Sequence, residues 1–205
     1  DNFLHEPSEI YINGNKIVQR SFSYGFNGDE NNVTLTWNYS FSNFSNMFQN
    51  VISMIKINFY NFNNCNITNM KNMFLNCKQL EYINLSDFDT SQVTNMDGLF
   101  KNCNNLKSLD ISNFNTSSVV NMEGMFMYCY NLISLNLNHF DTSNVINMRD
   151  MFNGCNKLNF LKIDSFNISS VTEINAIFYG CSELTSLNLS NFRTSFIKNT
   201  NNMFN

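Results

Sequence analysis

A fixed 26-residue interval between phenylalanines constrains the fold of this chain more than any other sequence feature. Phenylalanine recurs at this interval seven times, at Phe48, Phe74, Phe100, Phe126, Phe152, Phe178 and Phe204. Cysteine follows three residues later at Cys77, Cys103, Cys129, Cys155 and Cys181. A constant period of about 20 to 50 residues is typical of chains whose repeats pack only against their neighbours. The pattern therefore predicts a solenoid with a 26-residue coil.

The positions within one repeat predict a strand, a corner and a helix. Ile83 and Leu85 alternate with polar residues, as in a short strand with one buried face. Asp89-Thr90-Ser91 is typical of a corner, where hydroxyl groups bond nearby backbone. The following apolar residues have the i, i+3, i+4, i+7 spacing of a helix face: Met96, Leu99, Phe100 and Cys103. We therefore expect an α/β solenoid, leucine-rich-repeat-like and right-handed, of about six coils, with a parallel sheet on one face and short helices on the other.

The first part of the chain does not follow the repeat. Asn13-Gly14-Asn15 lies between two β-prone segments and predicts a hairpin, because Asn and Gly tolerate positive φ in tight turns. The first coil of a solenoid needs a covering element. The predicted organisation is an N-terminal β cap over residues 1–32 and a solenoid over 33–205, degenerate over 33–61 and regular over 62–204.

The repeat motif resembles a known family. Leu-x-x-Leu-x-Leu-x-x-Phe-Asp-Thr-Ser-x-Val-x-Asn-Met-x-x-Met-Phe-x-x-Cys is similar to the 26-residue repeat of the BspA-like branch of leucine-rich repeats, found in surface proteins of bacteria and some protists. The resemblance covers Phe62 to Phe204 clearly and Val33 to Phe62 weakly. It implies a cell-surface or secreted location and binding or adhesive roles, and it carries over no catalytic residue.

Composition and motifs argue against several classes of function. Charged residues are 14% of the chain, the formal net charge is −4 and the pI is about 5.1, so no basic stripe is present to bind nucleic acid. No apolar run has the roughly 18 residues of a membrane helix. The sequence has no glycine-rich phosphate loop and no recurring acid, base or nucleophile. We expect no enzymatic activity and no cofactor.

Two columns at the same interval are expected to be structural. The cysteine column has none of the close pairs that zinc sites use, and stacked helices would hold adjacent thiols about 8–10 Å apart, beyond disulfide reach. We expect buried free thiols and no metal site. The asparagine column is expected at helix N-termini or as a ladder that bonds the next coil. It comprises Asn43, Asn69, Asn95, Asn121, Asn147 and Asn199, with Glu173 in the remaining place.

Eight Asn-x-Ser/Thr sequons occur, a number close to the chance expectation for a chain with 42 asparagines. Asn43 belongs to the asparagine column and is a poor acceptor. If a eukaryote secretes the protein, the preferred glycan sites are Asn84, Asn115, Asn167 and Asn188, because strand alternation or a corner position exposes them to solvent. The other candidates are Asn66, Asn38 and Asn32.

Three functions remain open for this chain. The first is a non-enzymatic extracellular or cell-surface structural or adhesive protein, glycosylated and assembled head to tail into filaments. The sequence stops part-way through a coil, and three explanations are open. The chain is cut from a longer array, local side chains close the last coil, or the open end docks onto the N-terminal cap of the next copy. The second is a module that binds a protein ligand through a concave strand face: Tyr82, Asn84, Lys107, Asp110, Ser134, Asn136, Phe160 and Lys162. The third is an intracellular scaffold, which the unpaired cysteines favour.

Overall fold

The computed structural model describes residues 8–12, 15–16, 33–36, 42–59, 65–192 and 196–204. These ranges contain seven short strands and no α-helix. The strands are β1 (Glu9–Ile12), β2 (Asn15–Lys16), β3 (Val33–Thr36), β4 (Lys56–Asn58), β5 (Tyr82–Asn84), β6 (Ser134–Asn136) and β7 (Phe160–Lys162). Most of the backbone therefore lies in turns and extended connections.

The N-terminal strands form an antiparallel sheet of order β2-β1-β3. Tyr11 pairs with Lys16 across β1 and β2, so the hairpin predicted around Asn13-Gly14-Asn15 is confirmed. Lys16 Nζ forms an ion pair with Glu9 Oε1, and the Tyr11 hydroxyl donates to Glu9 Oε2 at 2.7 Å. Strand β3 pairs with β1 along its whole length, although its residues belong to the segment predicted as the first, degenerate repeat. The capping role of residues 1–32 stays a prediction.

The predicted α/β fold is wrong, because the segments expected to be helices are chains of turns. Gly98 and Asn102 have φ values of +60° and +61°, which a right-handed helix cannot accommodate. The Leu99 N–H donates to the Met96 carbonyl at 3.2 Å, which closes a local turn. The Phe100 N–H leaves its own unit altogether and donates to the Met125 carbonyl of the next unit at 2.9 Å. Bonds between units thus replace the i to i−4 bonds of a helix.

The predicted sheet is also much less extensive than expected. In the described part of the repeat region, strands pair in parallel only as β4 with β5 and β6 with β7. Residues 108–110, which lie between these two sheets, are outside any strand. Leu109 is accordingly half-buried, whereas Ile83 and Leu135 occupy the same position in β5 and β6 and are buried. Short parallel ladders therefore alternate with unpaired backbone along this side.

Consecutive 26-residue units nevertheless lie side by side around one apolar core. The phenylalanine rings of neighbouring units stack with centroids 5.6–5.9 Å apart from Phe74 to Phe178. Methionine, leucine and cysteine side chains from the other columns surround these rings, and most are fully buried. Burying each such side chain contributes roughly 1.5–3 kcal/mol. The core is therefore shared between units, because each ring is covered by the ring before it and the ring after it.

Candidate functional site

The candidate binding face has its outward side chains on the two parallel sheets. Tyr82 and Phe160 are 50% and 51% exposed. The register of β6 and β7 places Ser134 beside Phe160 and Asn136 beside Lys162, which brings four of the predicted residues together. Tyr82 and Asn84 lie on β5, and Asn84 is half-buried. Lys107 and Asp110 are exposed but lie in the unit between the sheets, outside any strand. The concave shape of this face stays a prediction.

Local hydrogen bonds set the electrostatics of this face. Asp110 Oδ1 accepts from the Ser112 hydroxyl at 2.7 Å and from the Ser112 N–H at 3.0 Å, and these bonds lower the pKa of the carboxyl group. Asn188 Nδ2 donates to Asp164 Oδ1 at 2.6 Å, which lowers the pKa of Asp164 in the same way. Both carboxylates are therefore ionised at neutral pH, and Asp164 lies within electrostatic range of the exposed Lys162.

The cysteine column is placed in the core as free thiols. Cys77, Cys103, Cys129 and Cys155 are buried, and Cys181 is half-buried. Each thiol of the column donates to a phenylalanine carbonyl of the preceding unit, as Cys129 Sγ does to Phe100 O at 3.1 Å. Burial raises the pKa of Cys129 to about 12, so the thiolate required for oxidation is suppressed.

Stacked helices were expected to hold neighbouring thiols too far apart for a disulfide, and this expectation is wrong. No helices separate neighbouring cysteines; their units are joined by direct backbone bonds, and hydrogen-bonded chains lie about 4.8 Å apart, within the Cα range of disulfides. The thiols are instead directed at carbonyl oxygens, as Cys155 Sγ is at Phe126 O, 3.1 Å away. In the described part of the chain, no cluster of three or more His, Cys, Asp or Glu residues could hold a metal ion.

The asparagine column forms a continuous series of parallel bridges between units. These bridges join Asn43, Asn69, Asn95, Asn121, Asn147, Glu173 and Asn199 in order. The Oδ1 atoms close turns within their own units, as Asn95 Oδ1 does by accepting from the Asp97 N–H at 2.9 Å. One side chain also bonds between units, because Asn147 Nδ2 donates to Glu123 Oε2 of the preceding unit at 2.9 Å. The backbone joins the units at this column, and the side chain holds the turn in shape.

Two other ladders were missed from sequence. At the corner, Thr142 is fully buried; its hydroxyl donates to Asn167 O at 2.9 Å and accepts from Asn167 N at 2.8 Å. On the other side of the unit, Asn102 Nδ2 donates to Asn76 Oδ1 at 2.6 Å, and Asn76 Nδ2 donates to Asn50 Oδ1 at 2.7 Å. Recurrence at the 26-residue interval was the available signal for both, but the pattern alone does not say which side chains bond across units.

The structure distinguishes the candidate glycan acceptors. Asn115 and Asn167 are exposed, and their Oδ1 atoms accept local N–H groups, so no described residue engages either Nδ2. Asn188 is exposed, but its Nδ2 bonds Asp164. Asn66 is exposed as well, whereas Asn32 and Asn38 lie outside the described residues. Asn66, Asn115 and Asn167 are therefore the exposed acceptors whose Nδ2 no described residue engages.

The last described unit differs from those before it. Leu184 and Leu187 are half-exposed, and Phe204 is 56% exposed although its ring stacks on Phe178 at 5.3 Å. An open cavity of about 460 Å³ lies between these side chains and Cys181. No described residue covers these side chains in the way that the following unit covers each earlier unit.

Comparison with known families decides what these repeats are. A family model described as "Mycoplasma protein of unknown function, DUF285" matches residues 42–135 and 129–205. The chain belongs to this family. The DUF285 match coincides with the described stack of units and begins after the N-terminal sheet. No curated protein and no solved structure matches the chain. In the residues that the structure describes, no helix has the length and apolar character needed to cross a membrane.

Proposed function

We propose that this DUF285 chain is a non-enzymatic structural or adhesive repeat protein that acts outside the cell or at its surface. The observation that carries the proposal is that the buried and the exposed positions of each unit serve different purposes. The buried polar side chains of the corner, such as Thr90 and Thr142, are used in bonds between units. The variation between units lies on the exposed positions. Such a molecule offers a rigid support with a long, mostly uncharged polar surface.

The thiols are compatible with an extracellular location. Unpaired cysteines are uncommon in oxidising surroundings, but burial removes both access and thiolate character. Burial raises the pKa of Cys77 to about 12 and that of Cys181 to about 11. Cys65, which is half-buried, also has a raised pKa because of burial. The location itself is proposed from the resemblance of the repeat to surface-protein repeats.

Location is the first test of this proposal. Intact cells of the natural source are treated with a membrane-impermeant amine-reactive biotin, and labelling of the chain is compared with labelling after lysis. We expect labelling on intact cells, because exposed lysines such as Lys107 and Lys162 are accessible. Intact mass of the same material, with glycan mass at Asn115 and Asn167, would support a glycoprotein. Labelling only after lysis, with unmodified mass and six reduced thiols, would replace the proposal by the intracellular scaffold.

A second candidate function is ligand binding through the strand face, and the exposure of Tyr82 and Phe160 favours it. Exposed aromatic side chains are frequent anchors of protein interfaces. Beads coated with the chain are tested for attachment to the cells or matrix among which the source organism lives. The double variant Tyr82→Ser/Phe160→Ser is compared with Val120→Ser/Ile146→Ser, which removes two exposed apolar side chains outside the strands. Selective loss in the first pair supports a strand-face ligand; equal attachment of both variants argues against it.

A further inference from the structure

Two tyrosines of one interior unit form an aromatic pair on the surface. The centroids of the Tyr128 and Tyr130 rings lie 5.7 Å apart, and the ring planes are tilted by 36°. Tyr130 is 42% exposed, and Tyr128 is half-buried. Both residues precede β6 and lie outside any strand, so the pair is separate from the strand face with its exposed Tyr82 and Phe160.

A glycine of the next unit makes room for both rings. A Cβ at Gly154 would lie 2.4 Å from Tyr128 Cδ1 and 3.5 Å from Tyr130 Cε1. The Tyr128 ring therefore packs directly on the Gly154 backbone, and the Tyr130 ring packs beside it. A ligand that binds side chains already held in this way loses less affinity to their ordering. The pair is thus a supported aromatic surface with one ring open to solvent.

The aromatic pair departs from the structural use of these two positions. In the earlier units the first position joins units through amides, as Asn102 Nδ2 does by donating to Asn76 Oδ1 at 2.6 Å. Tyr128 ends this row of amide bonds. Among the described units, only this one has aromatic residues at both positions; the others have Asn50 and Ile52, Asn76 and Lys78, Asn102 and Asn104, Gly154 and Asn156, and Gly180 and Ser182.

Polar atoms that bond no described residue accompany the pair. No described residue hydrogen-bonds the hydroxyl group of either tyrosine. The equivalents of Tyr130 in the two neighbouring units are Asn104 and Asn156. Asn104 Nδ2 donates to Tyr128 O at 2.9 Å and Asn156 Nδ2 donates to Gly180 O at 3.1 Å, and no described donor engages either Oδ1 atom. The patch therefore offers two hydroxyl groups and two amide oxygens to a ligand.

The chemistry of this patch matches a neutral saccharide. The two tyrosines and the two asparagines carry no charge, and the exposed Lys157 beside them is a single, screened charge. One side of a pyranose ring presents C–H groups, which pack on the electron-rich face of an aromatic ring. The hydroxyl groups at its rim both donate and accept hydrogen bonds. An aromatic surface bordered by uncharged hydroxyl and amide groups satisfies both parts of such a ligand.

We propose that the Tyr128–Tyr130 pair is a binding site for neutral saccharides. One sugar ring packs on the exposed Tyr130 ring, and its hydroxyl groups bond the tyrosine hydroxyls and the Oδ1 atoms of Asn104 and Asn156. The site is an open surface, so we expect a Kd on the order of 1 mM. This inference goes beyond the proposed function, since it requires neither a surface location nor the strand face.

The test uses the full chain and the neutral cellotriose, maltotriose and chitotriose, with the acidic sialyllactose for comparison. Saturation-transfer difference NMR should show saturable binding of at least one neutral saccharide, with the largest transfer at its ring C–H protons. Tyr130→Ala should weaken this binding by at least about tenfold, and Tyr130→Phe, which keeps the ring, should weaken it less. Tyr82→Ala is the matched control; it removes an exposed tyrosine from the strand face and should leave binding unchanged.

Four results would overturn the proposal. Two are the absence of saturable binding by every neutral saccharide up to about 10 mM and equal weakening by Tyr130→Ala and Tyr82→Ala. The third is preferential binding of sialyllactose that added salt removes, which would make Lys157 the centre of an anion site. The fourth is loss of bead attachment to cells in Tyr130→Ala with no competition by these saccharides, which would make the occupant a protein. None of them bears on surface labelling of intact cells, so a failed saccharide experiment is distinguishable from a failed functional proposal.

Discussion

An interior unit and the last unit share one sequence pattern but differ in how well their side chains are buried. Phe126 is fully buried between the rings of two neighbours, whereas Phe204 has a neighbour on one side only and is 56% exposed. Leu132 is fully buried, and Leu184, at the equivalent position two units later, is half-exposed. The difference teaches that a unit has no core of its own. Stability arises at the interfaces between units.

The largest contrast is expected between two phenylalanine substitutions. Phe126→Ala should cost about 3–5 kcal/mol of unfolding free energy, since it leaves a cavity between two rings. Phe204→Ala should cost under about 1 kcal/mol, because little buried surface is lost. Urea denaturation of both variants checks this. Similar costs would mean that the last unit is packed as well as the interior ones.

Cysteine ionisation should separate the same two regions at alkaline pH. The ordinary thiol pKa is 9.0, and burial raises that of Cys129 to about 12, so the unfolded chain loses this proton first as pH rises. Stability from Cys129 is therefore complete below pH 9 and is lost between about pH 9 and 12. At about pH 10.5 the loss is roughly 2 kcal/mol.

Cys129→Val removes this alkaline loss, and valine suits the site because Val51 holds the same column in the first described unit. Urea denaturation at neutral pH and at about pH 10.5, with and without the substitution, isolates the effect. At about pH 10.5 Cys181→Val should remove almost the same loss, and the two sites should differ only above about pH 11, because the pKa of Cys181 is raised only to about 11. An identical alkaline slope in wild type and Cys129→Val would refute the buried neutral thiol.

Two glycines at equivalent positions should differ by about 1 kcal/mol. Gly154 and Gly180 have φ values of +75° and +71°, so alanine at either site bears the left-handed penalty of about 1–2 kcal/mol. A Cβ at Gly154 would also lie 2.4 Å from Tyr128 Cδ1, whereas a Cβ at Gly180 meets nothing nearer than 3.5 Å. Thermal denaturation of Gly154→Ala and Gly180→Ala measures the difference. Equal costs would mean that Tyr128 moves aside freely.

The smallest effect is expected at a corner whose side chain bonds only its own unit. Asp141 Oδ1 accepts from Ser143 N at 2.9 Å and Ser143 Oγ at 2.7 Å, as Asn115 Oδ1 does from Ser117. Asp141→Asn can keep both bonds and should stay within about 0.5 kcal/mol of wild type at neutral pH. The bonds lower the pKa of Asp141, so any advantage of the carboxylate is lost as pH falls below its ordinary pKa of 3.8. A cost comparable to that of Phe126→Ala would show that the corner is coupled to the core.

Much of the core could be predicted from sequence, but the backbone between its residues could not. The recurrence of phenylalanine, methionine and cysteine identified the buried columns, because any regular stack must bury the same positions in every unit. The spacing of Met96, Leu99, Phe100 and Cys103 indicated a helix, yet a chain of turns places the same residues inward. The overlooked signal was the residue at every fourth position: Gly98 and Asn102 adopt positive φ, and Asn72 and Asn76 do so one unit earlier.

The candidate surfaces were predictable to different degrees. Alternation in β5 and β7 was enough to predict that Tyr82 and Phe160 point outward, as they do. The bonds between units at Gly98 and Phe100 could not be predicted, because a helix would have directed those N–H groups along its own axis. The absence of a strand at residues 108–110 could not be predicted from sequence either, since the unit of Leu109 has the same leucine pattern as the units that form strands.

Amide hydrogen exchange at Phe126 and Phe204 tests most directly whether order depends on a neighbouring unit. The Phe126 N–H donates to Met151 O at 2.9 Å, and the Phe204 N–H has no acceptor among the described residues. We expect exchange at Phe126 to be slowed towards the limit set by global unfolding and exchange at Phe204 to approach the unprotected rate. Comparable protection at both sites would contradict the central claim that each unit is ordered by the next.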